Sequence, residues 1–217
     1  MSVKQKAAVD IRYLLDRGYP TRSAITYVCN HYRLDTNMRY IFTRVICPEY
    51  SKISREAKTV GREQIKGNEV WLDGYNVLIG VESALKGEPI YLCDDGFIRD
   101  IRGIFRNYHC SKLTKEALDE IFSVLAVHAP SRVEMLLDSQ ISKSGEMAGW
   151  CTKKMKKAGL DGCVRTSRHV DFDLKNCNKI VATSDGSIID DVERVMNLQK
   201  NVLEQLRIKP ITIRELD

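Results

Sequence analysis

Three apolar runs in this chain each stop at an aspartate. Val70-Trp71-Leu72 ends at Asp73, Met135-Leu136-Leu137 at Asp138, and Ile180-Val181-Ala182-Thr183-Ser184 at Asp185. Short apolar runs bounded by turn residues read as buried strands of a parallel sheet. In open α/β sheets, ligands bind beyond the carboxyl ends of such strands. Three carboxylates gathered there repel one another unless a cation sits between them, and hard divalent cations take oxygen ligands. The pattern therefore points to a Mg²⁺ or Mn²⁺ site.

From residue 69 onward, strand and helix patterns alternate. A strand at 70–72 leads to a helix at 77–85, and a second strand at 90–93 ends at Asp94-Asp95-Gly96. Thr114 is read as the cap of a helix carrying Leu118, Ile121, Phe122 and Leu125. Strand 133–137, a polar loop at 139–145, a helix to about 158, a strand near Cys163 and a strand at 180–183 follow. Helices at 188–196 and 198–206 close the pattern. Parallel strands need crossover helices, so the expected fold is a three-layer α/β/α sandwich with a mostly parallel sheet over 69–217.

Residues 1–50 read differently. Ala7, Ala8, Ile11, Leu14 and Leu15 recur at helical spacing, Thr21 is read as the cap of a second helix, and Asp35 or Thr36 as the cap of a third. Three short helices with a tight second connection have helix-turn-helix proportions. The third would present Asn37, Arg39, Tyr40 and Arg44, side chains that contact phosphates or base edges. A small helical module with a charged solvated face fits the same pattern. Residues 51–68 form a basic linker or exposed helix.

Charge is unevenly spread. Residues 1–66 hold 13 Lys and Arg against 6 Asp and Glu, hence +7, within a chain whose net charge is +5. A basic module joined to a faintly acidic one suits a polyanion. No stretch approaches the apolar length of a membrane span and the start has no apolar signal region, so a cytoplasmic location is expected. Seven cysteines without a C-x-x-C pair argue against a disulfide framework or a structural zinc site. The histidines show no H-x-x-x-H spacing, and neither a P-loop nor a G-x-S-x-G elbow is present.

Four constellations carry the candidate chemistry. Asp73-Gly74-Tyr75-Asn76 offers a ligand, a tight turn and an amide at Asn76. Asp94 and Asp95 end the second run, and the sequence does not choose between them. Asp138 precedes Ser142-Lys143-Ser144-Gly145, where backbone amides, Ser144 and Lys143 suit a phosphate. Asp185 is followed by Asp190 and Asp191, read as residues of the next helix's first turns. Arg99 is a further phosphate contact, and Asp173, near His169 and Asp171, ranks lower.

Taken together, these residues resemble the PIN-like nuclease superfamily, in particular its NYN branch. The matching pieces are the Asp-Gly-Tyr-Asn turn at 73–76, the strand ending in Asp138, and Val181-Ala182-Thr183-Ser184-Asp185. The whole chain also resembles an uncharacterised prokaryotic, largely archaeal, family that joins a helical N-terminal module to a PIN-like domain. Its recurring segments read here as Arg17-Gly18-Tyr19-Pro20, Asp73-Gly74-Tyr75-Asn76-Val77-Leu78, Cys93-Asp94-Asp95-Gly96-Phe97, Ser142-Lys143-Ser144-Gly145-Glu146 and Ala182-Thr183-Ser184-Asp185-Gly186. The superfamily resemblance implies Mg²⁺- or Mn²⁺-dependent cleavage of RNA. Asp73, Asp138 and Asp185 match its strand-end acids, Asn76 its asparagine, and Asp94 or Asp95 is the fourth acid, with Asp95 as the metal ligand.

Two functions follow as expectations. One is a metal-dependent ribonuclease that holds the flanking strand on its basic helices through Arg39 and Arg44. The other is a non-catalytic nucleic-acid-binding protein that keeps the scaffold. The oligomeric state stays open, a homodimer included.

Overall fold

A computed structural model describes residues 1–101 and 108–216. The chain divides into two compact units. The first comprises Met1–Ala57, Pro89–Ile101 and Pro210–Asp217, and the second Lys58–Glu88 and Arg102–Lys209. The uninterrupted domain expected over 69–217 is corrected by this division, because two segments of that range belong to the first unit.

In the first unit, α1 (Val3–Asp16), α2 (Thr21–His31), α3 (Thr36–Val45) and most of α4 (Glu49–Lys58) surround a small core. Ser2 closes α1 with a capping box, and Asp35 caps α3 by accepting from the Met38 amide at 2.8 Å. Ala7, Ala8, Ile11, Val28, Cys29 and Phe42 are buried together, with Tyr91, Cys93 and Ile213 from the two later segments. Those segments supply an antiparallel hairpin, β2 (Ile90–Leu92) and β3 (Ile98–Asp100), and a short stretch through Ile211. The Leu92 amide donates to the Ile211 carbonyl at 2.9 Å, and the Ile211 amide to the Ile90 carbonyl at 2.8 Å. The run at 90–93 was expected in the parallel sheet. It forms this hairpin instead.

The second unit opens with the four-residue α5 (Arg62–Ile65). It then builds one parallel sheet from β1 (Glu69–Asp73), β4 (Arg132–Asp138), β5 (Gly162–Ser167), β6 (Ile180–Ala182) and β7 (Val195–Met196). Their order is β5-β4-β1-β6-β7, so the chain starts in the middle and reverses direction between β1 and β6. Val70 lies in register with Val133 on one side and Ile180 on the other, and Asp138 with Ser167. One face carries Val70, Leu72, Val133, Met135, Leu137, Val164, Ile180 and Ala182, all buried. They share one core with residues of α6 (Gly74–Leu85), α7 (Lys112–His128), α8 (Ser144–Lys157) and α11 (Leu198–Leu206). Each buried Val, Leu, Ile or Met among them stabilises the fold by about 1.5–3 kcal/mol relative to exposure. The other face is covered by two short helices, α9 (Val170–Lys175) and α10 (Gly186–Asp191), with α9 packed on β1 and β4.

Local details differ from expectation at three places. Ser111 caps α7, and Thr114 sits three residues inside it, closing a capping box in which the Ser111 amide donates to Thr114 Oγ1 at 2.8 Å. The helix expected over 188–196 is α10 followed by the short strand β7. Asp190 and Asp191 therefore end a helix and do not begin one, and Asp191 pairs with Lys175 at 2.8 Å.

Candidate functional site

The site lies at the carboxyl ends of β1, β4 and β6, where the strand order reverses. Asp73 is the last residue of β1 and is buried. Gly74, the first residue of α6, lets that helix start directly against β4. A Cβ there would lie 2.5 Å from the Leu136 carbonyl oxygen and 2.6 Å from Leu137 Cδ2. The sharp entry needs glycine for space.

The Thr183 hydroxyl donates to Asp73 Oδ2 at 2.8 Å. The Asp185 amide donates to that same Thr183 oxygen at 3.1 Å. Asn76 Oδ1 accepts from the Ser184 amide and the Ser184 hydroxyl, each at 2.9 Å, and the Asn76 carbonyl accepts from Gln199 Nε2 at 3.0 Å. Asn76 was expected to touch substrate. Its side-chain oxygen instead ties the segment after β6 to α6, which fixes where Asp185 sits. Asp185 Oδ1 accepts from the Ser187 amide at 2.8 Å, capping α10, and Asp138 Oδ1 accepts from the Gln140 amide at 2.8 Å.

Charge at this rim is unbalanced. Burial pushes the Asp73 carboxyl up to about 7, against the Thr183 bond that favours its ionised form, and the charges of Asp185 and Asp171 push it the same way. Asp171, in the first turn of α9, is itself raised by burial and then by Asp185 and Asp138, with Lys175 opposing. Asp171 thus feels Asp185 and Asp138, and Asp73 feels Asp185 and Asp171. Asp171 is the member that the sequence did not rank. Asp173, ranked above it, turns toward Arg165 at 3.8 Å.

The remaining candidates separate. Lys143 is exposed and takes a left-handed backbone (φ 63°) just before α8, while Ser144 is buried at that helix's first position. Asp94 and Asp95 belong to the first unit, in the turn between β2 and β3. Asp94 accepts two bonds from Arg12 at 2.7 and 2.8 Å. Asp95 is held at 2.6 Å by Arg55 and by both ends of the Arg99 guanidinium at 2.6 and 2.9 Å. Burial alone would raise the Asp95 carboxyl, but Arg99 and Arg55 outweigh it and hold it below the ordinary value. A carboxylate committed to two arginines is not free for a metal, and Arg99, buried against Asp95, is not free for a phosphate. Both assignments are withdrawn for that reason.

Arg39 bonds Asn30 Oδ1 at 2.7 Å, and Arg44 lies over the Tyr40 ring at 6.0 Å; the Nε of each is buried without a hydrogen-bond partner. The charge excess of the first 66 residues is mostly offset within the compact unit. Its 12 Lys and Arg face 10 Asp and Glu, leaving +2. A cleft of about 510 Å³ in this unit is lined by Arg12, Asp94, Lys52 and Glu49, which pair with one another. Burial pushes its Cys47 thiol up to about 12 and Cys93 to about 11, so neither is a nucleophile at neutral pH.

Fold and site together define an α/β protein with a parallel sheet, an acidic rim at its switch point and a helical N-terminal unit. The chain belongs to the family described as Domain of unknown function (DUF5616), which matches residues 62–201, and residues 5–58 match Protein of unknown function (DUF434). It is similar to the uncharacterized protein MJ0935 of Methanocaldococcus jannaschii, with 34% identity over 209 residues, covering 94% of this chain and 99% of the relative. No solved structure gives a significant match. Among the described residues, no helix is long and apolar enough to cross a membrane.

Proposed function

We propose that this protein is a metal-dependent ribonuclease of the PIN-like kind, acting on RNA in the cytoplasm. The observation that carries the reading is Asp73, a buried carboxylate at the switch point, with Asp138, Asp171 and Asp185 around it. Counted within the sheet, the strand order is 3-2-1-4-5, which suits the resemblance drawn from the Asp-Gly-Tyr-Asn turn.

The donor set fits Mg²⁺ or Mn²⁺ in character, because the nearby groups are carboxylate, hydroxyl and amide oxygens. Among the described residues, no three acids stand close enough to share one ion directly. Mg²⁺ is commonly held through one or two carboxylates and keeps several waters. Asp73, Asp138 and Asp185 would hold it. When bound, such an ion stabilises charge on the scissile phosphate and lowers the pKa of an attacking water.

This chain's own residues do the rest. Thr183 orients Asp73 and, through the Asp185 amide, sets the spacing of the two acids. Asp171, in the first turn of α9, has a carboxyl raised above its ordinary value, which suits it to take up a proton from water. Lys143 contributes positive charge to the phosphate backbone.

Cleavage of single-stranded RNA in Mg²⁺ or Mn²⁺ tests the reading, comparing wild type with Asp73→Asn and Asp185→Asn. A loss of about a hundredfold or more in both is expected for ligands of a catalytic ion. Undiminished activity in both variants overturns the mechanism. A second reading, a non-catalytic nucleic-acid binder, is favoured because no group of three acids among the described residues is placed to hold an ion. Salt-dependent binding without turnover in either metal would select it.

A further inference from the structure

Between α1 and α4 the chain holds five arginines and one acid, with no lysine and no glutamate. The acid, Asp35, is committed to the cap of α3. The stretch therefore carries +4 in a compact unit whose total is +2. Positive charge is concentrated on α2, α3 and the turn between them, and the other acids of the unit lie outside that stretch. Arginine in particular suits phosphate, because its planar fork makes two parallel hydrogen bonds.

The two helices meet at a corner of four residues, Tyr32 to Asp35. The Leu34 amide donates to the Cys29 carbonyl at 2.8 Å and the Arg33 amide to the Asn30 carbonyl at 3.1 Å, a Schellman closure of α2. Arg39 of α3 donates to Asn30 of α2 at 2.7 Å across the corner. The Tyr32 hydroxyl donates to Asp10 Oδ2 at 2.7 Å, tying the turn to α1. α3 buries Met38, Ile41, Phe42 and Val45 and leaves Asn37, Tyr40 and Thr43 exposed. Three helices braced in this way, with a tight second corner, have the build of a helix-turn-helix. The left-handed position of the corner belongs to Arg33 (φ 53°), where the end of α1 uses Gly18 (φ 80°). Arg33 is strained there, exposed, and makes no ion pair among the described residues. The turn itself does not require that side chain.

A helix of ten residues is about 15 Å long. The major groove of B-form DNA, about 12 Å wide, admits such a helix, whereas the A-form groove of duplex RNA is too deep and narrow for side chains to read. Base edges are met by the first turns of the inserted helix. Asn37 stands in the first turn of α3, and an asparagine amide matches the N6 and N7 edge of adenine. Tyr40 and Arg44 follow it at helical spacing on the same side, with the Arg44 guanidinium over the Tyr40 ring. Arg33 precedes the helix and Arg44 lies in its last turn, so a cation stands at each end of this face. We propose that the first unit binds double-stranded DNA, with α3 in the major groove, Asn37 and Tyr40 on base edges, and Arg33 and Arg44 on the bordering phosphates. The inference does not depend on the ribonuclease reading, which concerns the second unit.

The test uses the full chain in EDTA and a fluorescent DNA duplex of about two helical turns, with an RNA duplex of the same sequence as the second probe. Anisotropy should show wild type binding the DNA about tenfold more tightly than the RNA, with an affinity that falls as salt rises. Selection from random-sequence DNA duplexes should yield a short shared motif. Asn37→Ala should lose about tenfold in preference at one base pair of that motif. Arg33→Gly relieves the left-handed backbone, so it should unfold at or above the wild-type temperature. It should nevertheless bind DNA about fivefold more weakly, with a salt slope shallower by about one. A merely structural Arg33 would give the higher unfolding temperature and leave DNA binding alone. No binding to DNA, no shared motif, or equal affinity for the two duplexes overturns the proposal. Wild-type affinity and preference in both Arg33→Gly and Asn37→Ala overturn it as well, because the DNA then lies away from α3.

Discussion

The Thr183 hydroxyl bonds Asp73 Oδ2 at 2.8 Å across the point where the strand order reverses, and its oxygen also accepts the Asp185 amide. One side chain thereby links two of the acids assigned to the metal. The bond favours the ionised Asp73 carboxylate against its burial. Thr183→Val removes the donor and the acceptor while keeping the shape. The Asp73 carboxyl should then rise further, so the alkaline shift of the pH–rate profile has a defined direction: activity that needs ionised Asp73 begins at higher pH. Thr183→Ser should restore the wild-type profile. A Thr183→Val profile superimposable on wild type would contradict this role.

Asp73 also makes the metal-free protein sensitive to pH. Its folded carboxyl is raised from 3.8 to about 7, so between those values the folded chain keeps a proton that the unfolded chain has lost. Stability is therefore full below the lower value and falls as pH rises through the higher one, by an amount on the order of 2–4 kcal/mol. Thermal unfolding in EDTA should give a lower Tm at pH 8.5 than at pH 5.5. Asp73→Asn cannot ionise, so it should narrow that gap and melt above wild type at pH 8.5. Divalent metal should stabilise wild type at pH 8.5 and leave Asp73→Asn nearly unmoved.

The arginine clamp on Asp95 makes the opposite prediction for acid. Asp95 is depressed in the folded state, so its contribution is present above the unfolded value of 3.8 and is lost as pH falls through the folded one. Removing the carboxylate takes the charge partner from two guanidiniums, both largely buried. Asp95→Ala should cost about 3–5 kcal/mol, as for other buried pairs broken on one side. Asp95→Asn should cost less, because the amide oxygen still accepts one bond. Amide exchange should locate the loss in the first unit, and RNA cleavage by Asp95→Asn below the unfolding temperature should match wild type.

The three strand-end acids were legible because each pattern is local: an apolar run, then a carboxylate, then a helix. Asp94 and Asp95 follow a similar run, and periodicity alone does not separate a short buried parallel strand from a hairpin strand. The distinguishing signal was present. Asp94-Asp95-Gly96 between the apolar pairs Leu92-Cys93 and Phe97-Ile98 is a three-residue hairpin loop, and Gly96 takes φ +79° there. Asp171 had no such local mark. Its approach to Asp73 depends on α9 packing on β1 and β4, a tertiary contact that six helical residues do not announce. The charge excess of residues 1–66 misled in a related way, since Asp94 and Asp95 that offset it arrive from later in the chain.

Gly74 is a position where helix propensity and packing disagree. In an open helical site, alanine for glycine stabilises by roughly 0.5–1 kcal/mol. Here the added methyl would fall 2.5 Å from a backbone oxygen of β4, which cannot swing aside. The clash should win, with Gly74→Ala destabilising by about 1–3 kcal/mol in urea unfolding. Because α6 would be pushed away from the strand end, RNA cleavage should fall more than stability alone explains. A stabilised Gly74→Ala would mean that the entry of α6 is looser than these distances imply.

Asn76 tests whether the rim is held in place or merely sits there. Its side-chain oxygen satisfies both the Ser184 amide and hydroxyl, and Ser184 is buried. Asn76→Ala removes the acceptor that both donors share, a cost of about 1–3 kcal/mol for a lost buried hydrogen-bond partner. It also frees the segment that carries Asp185, whose own contacts (the Thr183 oxygen and the cap of α10) lie within that segment. Amide exchange over 183–187 should quicken, and cleavage should drop at least tenfold with single-strand binding in EDTA unchanged. Asn76→Ser, too short to span to Ser184, should behave like alanine. If Asn76 instead touched RNA directly, binding in EDTA would fall while exchange at 183–187 stayed slow, and the positioning role would be lost.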